Sequence, residues 1–319
     1  MKPLVLFFML FFSFLSAFPL AGQTEIRTGL ELTPDHFPQE GIPKGEVKGP
    51  FNFYSKILEG TVHQYWLFIP AQYEASKPAS VLIFHDGFRS RHPEGSIRAP
   101  QVMENLIARG DMPVTIGIFI TPGNRSEDYP DDLGWGNPDN RTQEYDAMDD
   151  RYAQFIVEEM LPEVGQQYHL TSDPDQRAIC GTSSGAIAAF TVAWHYPDVF
   201  HKVYSAIGSY VSIGFRPEET PVKLGGQDYP ALIRREAIRP IRIFLQDGNN
   251  DLDNEWGNWF LANQQMVSAM HYANEAADKN ERPGPRYQVN AVWTDGEHND
   301  KHAGALLPEG LTWLWAEIK

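Results

Sequence analysis

The chain has 319 residues, 42% apolar and 21% charged, with 8 Trp, 13 Tyr and 19 Phe; this composition excludes a disordered protein and allows a large core. A formal net charge of −16, from 42 acidic and 26 basic side chains, disfavours nucleic acid and anionic membrane surfaces as partners. The single cysteine, Cys180, excludes an internal disulfide, and its apolar neighbours mark it as a small buried side chain.

Residues 1–22 read as a secretory signal: Lys2 supplies the charge, 4–15 is almost wholly apolar, and Ser16-Ala17 or Ala21-Gly22 offers small residues for cleavage. An uncleaved anchor is the competing reading, but the apolar run is short for a span, so no stable membrane span is expected. The Pro/Gly-rich stretch 23–49 reads as a poorly ordered lead-in. Strands are expected over 51–58 and 61–70, joined at Glu59-Gly60 as a hairpin. The continuous apolar runs 79–84 and 114–120 suit strands buried on both faces. Helical spacing covers 100–109 and stops at Gly110, and a long polar loop fills 121–142. Further helices are expected over 149–167, 230–237, 256–274 and 306–318, with strands over 177–180, 203–207, 241–245 and 287–293. Such alternation predicts an α/β fold: a mostly parallel central sheet, an N-terminal antiparallel hairpin, and helices on both faces. One domain over 50–319 is the simplest division.

The chemistry gathers around 177–194, where a short apolar run ends in Gly181-Thr182-Ser183-Ser184-Gly185 and an Ala-rich helical pattern follows. G-x-S-x-G between strand and helix places a serine on a strained turn at the carboxyl edge of a sheet. A serine hydroxyl needs an imidazole to take its proton and a carboxylate to orient that imidazole. Ligands of open α/β sheets gather beyond the carboxyl ends of strands, so the turns after later strands are where partners for Ser183 belong. The strand over 241–245 is followed by Asp247, Asp251 and Asp253, and the strand over 287–293 by His298 and His302. Ser183, Asp251 and His298 make the preferred catalytic set, with Asp247 or Asp253 as alternative acids and His302 as alternative base. His298, His302 and Asp300 could instead hold a metal, but Gly296 and Gly304 argue against the helix that this spacing requires, and no metal is expected. Backbone N–H groups of Ser184 and Phe88, the latter in the His85-Asp86-Gly87-Phe88 turn, are the expected oxyanion hole.

These stretches resemble the esterase family that holds esterase D, enterochelin esterases and feruloyl or acetylxylan esterases, within the α/β-hydrolase superfamily. The likeness runs through FHDG at 84–87, NRTQEYD at 140–146, CGTSSGAIAAFTVAWHYPDVF at 180–200, SAIGSY at 205–210, DGNNDLDNEWGNW at 247–259 and GEHNDKHAGALLPEGLTWLW at 296–315. Ala186 departs from the second glycine that many members carry. The resemblance implies an α/β-hydrolase fold, Asp251 as the acid in a G-x-N-D-like turn and His298 as the base in a G-x-H turn. Arg141, Glu144 and Trp135 are candidate substrate-binding residues, arginine being suited to oxygen-rich ligands. The expected activity is that of an exported serine carboxylic-ester hydrolase without a cofactor. Its partner would be a small-molecule or carbohydrate-linked ester: feruloyl or acetyl esters of plant polysaccharides, or siderophore esters. Acyl transfer on the same fold and a binding module with a spent site are the alternatives, and the oligomeric state is open.

Overall fold

The computed structural model describes residues 25–126, 129, 133 and 138–316. The expected signal and Trp135 lie outside the described residues. Among the described residues no helix is long and apolar enough to cross a membrane.

The strands are Ile26–Arg27 (β1), Glu46–Tyr54 (β2), Val62–Ile69 (β3), Ser80–His85 (β4), Thr115–Ile120 (β5), Arg177–Thr182 (β6), Lys202–Ala206 (β7), Arg242–Gly248 (β8), Asp253–Asn254 (β9), Gly257–Asn258 (β10) and Gln288–Thr294 (β11). The helices are Gly87–Ser90 (α1), Ala99–Arg109 (α2), Arg141–Tyr145 (α3), Arg151–Gln154 (α4), Leu161–Gly165 (α5), Ser184–His195 (α6), Tyr229–Arg235 (α7), Trp259–Lys279 (α8), Asp300–Ala305 (α9) and Leu307–Trp315 (α10). A π-helical stretch, Phe155–Met160, joins α4 to α5. Nine strands form one sheet in the order β1-β11-β8-β7-β6-β4-β5-β3-β2. The β2–β3 and β3–β5 pairs are antiparallel and the others parallel, so the sheet is mostly parallel with an antiparallel hairpin at one side. The β9–β10 ribbon stands apart.

The apolar runs resolve into two faces because successive strand side chains point to opposite sides. Val81 and Ile83 of β4 and Ile179 of β6 join the core under α4 to α8, with Phe155, Ile187, Phe190, Ile233 and Met266. Leu82, Phe84, Ala178 and Cys180 join the opposite core, with Val102 and Leu106 of α2 and Leu307, Leu311 and Leu314 of α10. Cys180 is buried there, a small apolar filler as expected.

Residues 23–49 were expected to be poorly ordered, yet from β1 onward they are built into the fold. β1 pairs in parallel with β11, Ile26 opposite Trp293 and Arg27 opposite Thr294. The single turn Pro34–His36 buries His36, whose Nε2 bonds the Gly304 carbonyl at 2.8 Å. Arg27 pairs with Glu309, and Asp35 with Arg109. Polarity misled here, because long-range polar contacts order a stretch that has little apolar periodicity of its own. The expected 256–274 helix also starts late. The β9–β10 ribbon occupies its first residues, and the Asn258 side chain caps α8 by accepting the Leu261 N–H.

Candidate active site

Ser183 stands between β6 and α6 with φ 56° and ψ −124°, a conformation that costs a non-glycine residue about 1–3 kcal/mol. The surroundings hold it there. Its N–H donates to the Ala206 carbonyl of β7 at 3.0 Å, and its carbonyl accepts from Ala186 N at 3.0 Å and Ser209 N at 3.2 Å. A Cβ on Gly181 would fall 2.1 Å from the Gly185 carbonyl oxygen, so the strand can meet the helix this closely only with glycine there.

Two later strand ends bring the candidate base and acid. Ser183 Oγ lies 2.8 Å from His298 Nε2, and His298 Nδ1 lies 2.6 Å from Asp251 Oδ1. The turns that carry them touch. A Cβ on Gly248 would sit 2.1 Å from the Gly296 carbonyl, and Asn250 N and Nδ2 donate to the carbonyls of Gly296 and Asp295. A carboxylate only accepts, so Nδ1 carries the imidazole proton and Nε2 is free to accept from the serine hydroxyl. Asp253 lies exposed on β9 and Asp247 lies buried beneath the turn, so Asp251 alone of the three candidates meets the imidazole. His302 falls on α9, with Nδ1 2.9 Å from Thr294 Oγ1 and Nε2 3.8 Å from Asp295. Among the described residues no three His, Cys, Asp or Glu side chains converge as metal ligands.

Ser209 escaped sequence reasoning, although it lies within the SAIGSY segment. Its Oγ accepts from Trp259 Nε1 at 3.1 Å and lies 3.2 Å from Ser183 Oγ. With the Ser183 proton directed at His298, Ser209 must donate to Ser183. A directed chain then runs Trp259, Ser209, Ser183, His298, Asp251, and the Trp259 ring meets the imidazole edge-on at 5.5 Å. A lone serine one strand away carries no pattern that could have marked it.

The Phe88 and Ser184 amides both fall in the first turn of a helix, α1 and α6, where N–H groups have no intrahelical acceptor. Asp86, at φ 49°, makes the bend that leads into α1. Arg141, a candidate for substrate binding, is buried and grips Asp86 with two bonds, Nε to Oδ1 at 2.9 Å and Nη2 to Oδ2 at 2.8 Å. The physical reason is that a buried carboxylate at the bend needs a cation, and the planar guanidinium matches it two-pronged. Burial alone would raise the Asp86 pKa, but the Arg141 charge and hydrogen bonds, together with Arg89 and His85, outweigh it and hold the carboxyl below its ordinary range. Glu144 is likewise committed within the fold. It accepts from Gly123 N at 2.9 Å and Asn140 Nδ2 at 2.7 Å and lies 3.1 Å from His63 Nε2, which pins the chain leaving β5.

His85 donates from Nδ1 to the Gly185 carbonyl at 2.8 Å, tying the end of β4 to the first turn of α6. Burial pushes its pKa down to about 4, so at neutral pH it is an uncharged donor. Asp146, beside Ser184, is pushed up to about 6 by burial, against the opposing effects of a Ser184 hydrogen bond and of Arg141 and Arg216.

Residues 59–302 match the family described as "Putative esterase". The chain belongs to that esterase family. Among its relatives is the uncharacterized protein YbbA of Bacillus subtilis (strain 168), 25% identical over 112 residues, which are 34% of this chain and 44% of that one. The solved enterobactin esterase of Shigella flexneri superposes with a TM-score of 0.62 at 19% identity, covering 87% of this chain and 61% of that one. A ferulic acid esterase of Anaeromyces mucronatus, solved with ferulic acid, gives 0.61 at 15% identity, covering 91% and 98%. This member of the family thus spans less than half of its Bacillus relative and about three fifths of the Shigella enzyme. At these identities the solved structures share its fold.

Proposed function

We propose that this protein is an exported serine carboxylic-ester hydrolase that works through an acyl-enzyme. The observation that carries the reading is the unbroken contact from Ser183 Oγ to His298 Nε2 at 2.8 Å and from His298 Nδ1 to Asp251 at 2.6 Å, at a strained strand-to-helix turn. Ser183 Oγ bonds to the ester carbonyl carbon as its proton passes to His298 Nε2. The carbonyl oxygen, now negative, is received by the Phe88 and Ser184 N–H groups, and Asp251 stabilises the imidazolium. The C–O bond to the alcohol breaks as His298 returns the proton to the leaving oxygen. Water then attacks the acyl group, giving its proton to His298, and the second collapse restores Ser183 and releases the acid.

The substrate is proposed as a small-molecule or carbohydrate-linked ester, of the feruloyl or enterobactin kind named for the structural relatives. Export rests on the charged and apolar pattern of residues 1–22. Wild-type protein should hydrolyse a p-nitrophenyl ester and take a fluorophosphonate label, and Ser183→Ala should do neither while keeping its circular dichroism spectrum. Turnover surviving in Ser183→Ala would overturn the reading.

A further inference from the structure

The last residues of β8 and the turn after it hold two aspartates, Asp247 and Asp251, whose side chains meet. Asp247 is fully buried; its Oδ1 accepts from Gly248 N at 2.7 Å and its Oδ2 from Asn263 Nδ2 of α8 at 2.6 Å. Its carboxyl also lies within hydrogen-bonding reach of the Asp251 carboxyl. Asp251 offers Oδ1 to His298 Nδ1 and to the Leu252 N–H, whereas its Oδ2 is buried and no N–H or neutral hydroxyl reaches it among the described residues. From β11, Thr294 Oγ1 faces the Asp247 carbonyl at 3.4 Å, and His298 lies on the far side of Asp251. Among the described residues Asp247 forms no ion pair with Lys, Arg or His, in contrast to Asp86 with its arginine.

Two ionised carboxylates in contact, both removed from water and without a cation, repel strongly, so one of them holds a proton. Asp251 is the ionised member, because it faces the imidazole that becomes positive during each proposed turnover. Burial and the adjacent Asp251 charge push the Asp247 carboxyl well above the ordinary aspartate range.

We infer that Asp247 is a neutral carboxylic acid that donates its O–H to Asp251 Oδ2 and so positions the acid of the catalytic relay. The inference rests on the proposed roles of Ser183, His298 and Asp251. With one oxygen bound to Asp247 and the other to His298, the Asp251 carboxylate is fixed at both ends and cannot turn away from the imidazole. Asp247 touches no reacting atom; it acts through Asp251. A single negative charge then stands behind the imidazole.

Asp247→Asn and Asp247→Leu test this in the full chain, with a p-nitrophenyl ester as substrate. An amide N–H can replace the acid O–H, so Asp247→Asn should lose no more than about threefold in kcat and leave the acidic limb of the kcat/KM–pH profile in place. Leucine keeps the volume without the donor, and kcat should fall about tenfold to a hundredfold with KM little changed. An acidic limb displaced downward by about one pH unit in Asp247→Asn would overturn the inference, because it would mean that a negative charge had been removed beside His298. So would equal losses in the two variants. Infrared difference spectra supply a readout that needs no turnover. At about pH 7.5 the wild type should show a protonated carboxylic-acid carbonyl band that is missing from Asp247→Asn, and its absence from the wild type would also overturn the inference. Failure of the esterase reading shows separately, as wild-type protein that takes no fluorophosphonate label.

Discussion

Asp86 at the end of β4 and Asp247 at the end of β8 are both almost completely buried, one on each side of the strand that carries Ser183, and they solve the same problem differently. Asp86 keeps its charge by taking a buried guanidinium, Arg141, on two bonds. Among the described residues Asp247 pairs with no cation and sits against a second carboxyl, so we assign it a proton instead. The contrast shows that burial alone does not decide what an aspartate does; the nearest charge does. At β4 the result is an ion pair bracing the bend before the Phe88 amide. At β8 the assigned proton makes Asp247 a donor behind the proposed acid, Asp251. Stability should therefore be most sensitive at the first place and turnover at the second.

The largest expected effect tests the β8 side. Asp251→Asn should lower kcat about ten-thousandfold, since an amide facing Nδ1 favours the wrong imidazole tautomer, while urea unfolding shifts little. On the β4 side, Arg141→Met should destabilise by about 3–5 kcal/mol in urea denaturation by stranding the Asp86 charge, and adding Asp86→Asn should recover part of that loss. If Arg141→Met left stability unchanged but raised KM, the guanidinium would be serving substrate, and the contrast between the two ends would fail.

Asp146 sharpens the comparison with a buried carboxyl only partly compensated. Its pKa is pushed up to about 6 by burial, so the folded state holds a proton that the unfolded chain releases near the ordinary aspartate range. The native state binds more protons between about pH 4 and pH 6, and stability falls as pH rises through that window. Asp146→Asn should therefore be more stable than wild type by about 2–3 kcal/mol at about pH 7.5, with the advantage shrinking below about pH 5. Denaturant melts at the two pH values check the sign. The smallest effect expected is from Ser209→Ala. Losing one neutral hydrogen bond to Ser183 should lower kcat about fivefold without changing the pH profile.

Much of this was legible in the chain beforehand. The apolar runs ending in Phe84, Ile120, Cys180 and Leu245 announced parallel strands, because strands covered on both faces leave no polar alternation. The structure brings Ser183, Asp251 and His298 together; Ser183 and Asp251 follow two of these runs, and His298 follows the mixed strand over 287–293. Arg141 and Glu144 could not be read correctly. Whether a charged side chain meets a ligand or a buried partner depends on what is folded opposite it, and Asp86 and His63 lie 55 and 81 residues away in sequence. Ser209 was hidden for the same reason, and so was the order of residues 25–36.

That N-terminal stretch separates two things that are easily equated. The segment carrying the family likeness, 59–302, holds every group of the proposed chemistry, but elements on both sides of it pack into the same fold. β1 lies before it, with Arg27 O accepting the Asp295 N–H at the start of the His298 turn, and His36 latches onto the Gly304 carbonyl of α9. Beyond it lies α10, with Leu307, Leu311 and Leu314 fully buried. A fragment trimmed to the recognisable portion would keep the vocabulary of an esterase and lose the clamp that holds its histidine turn in register.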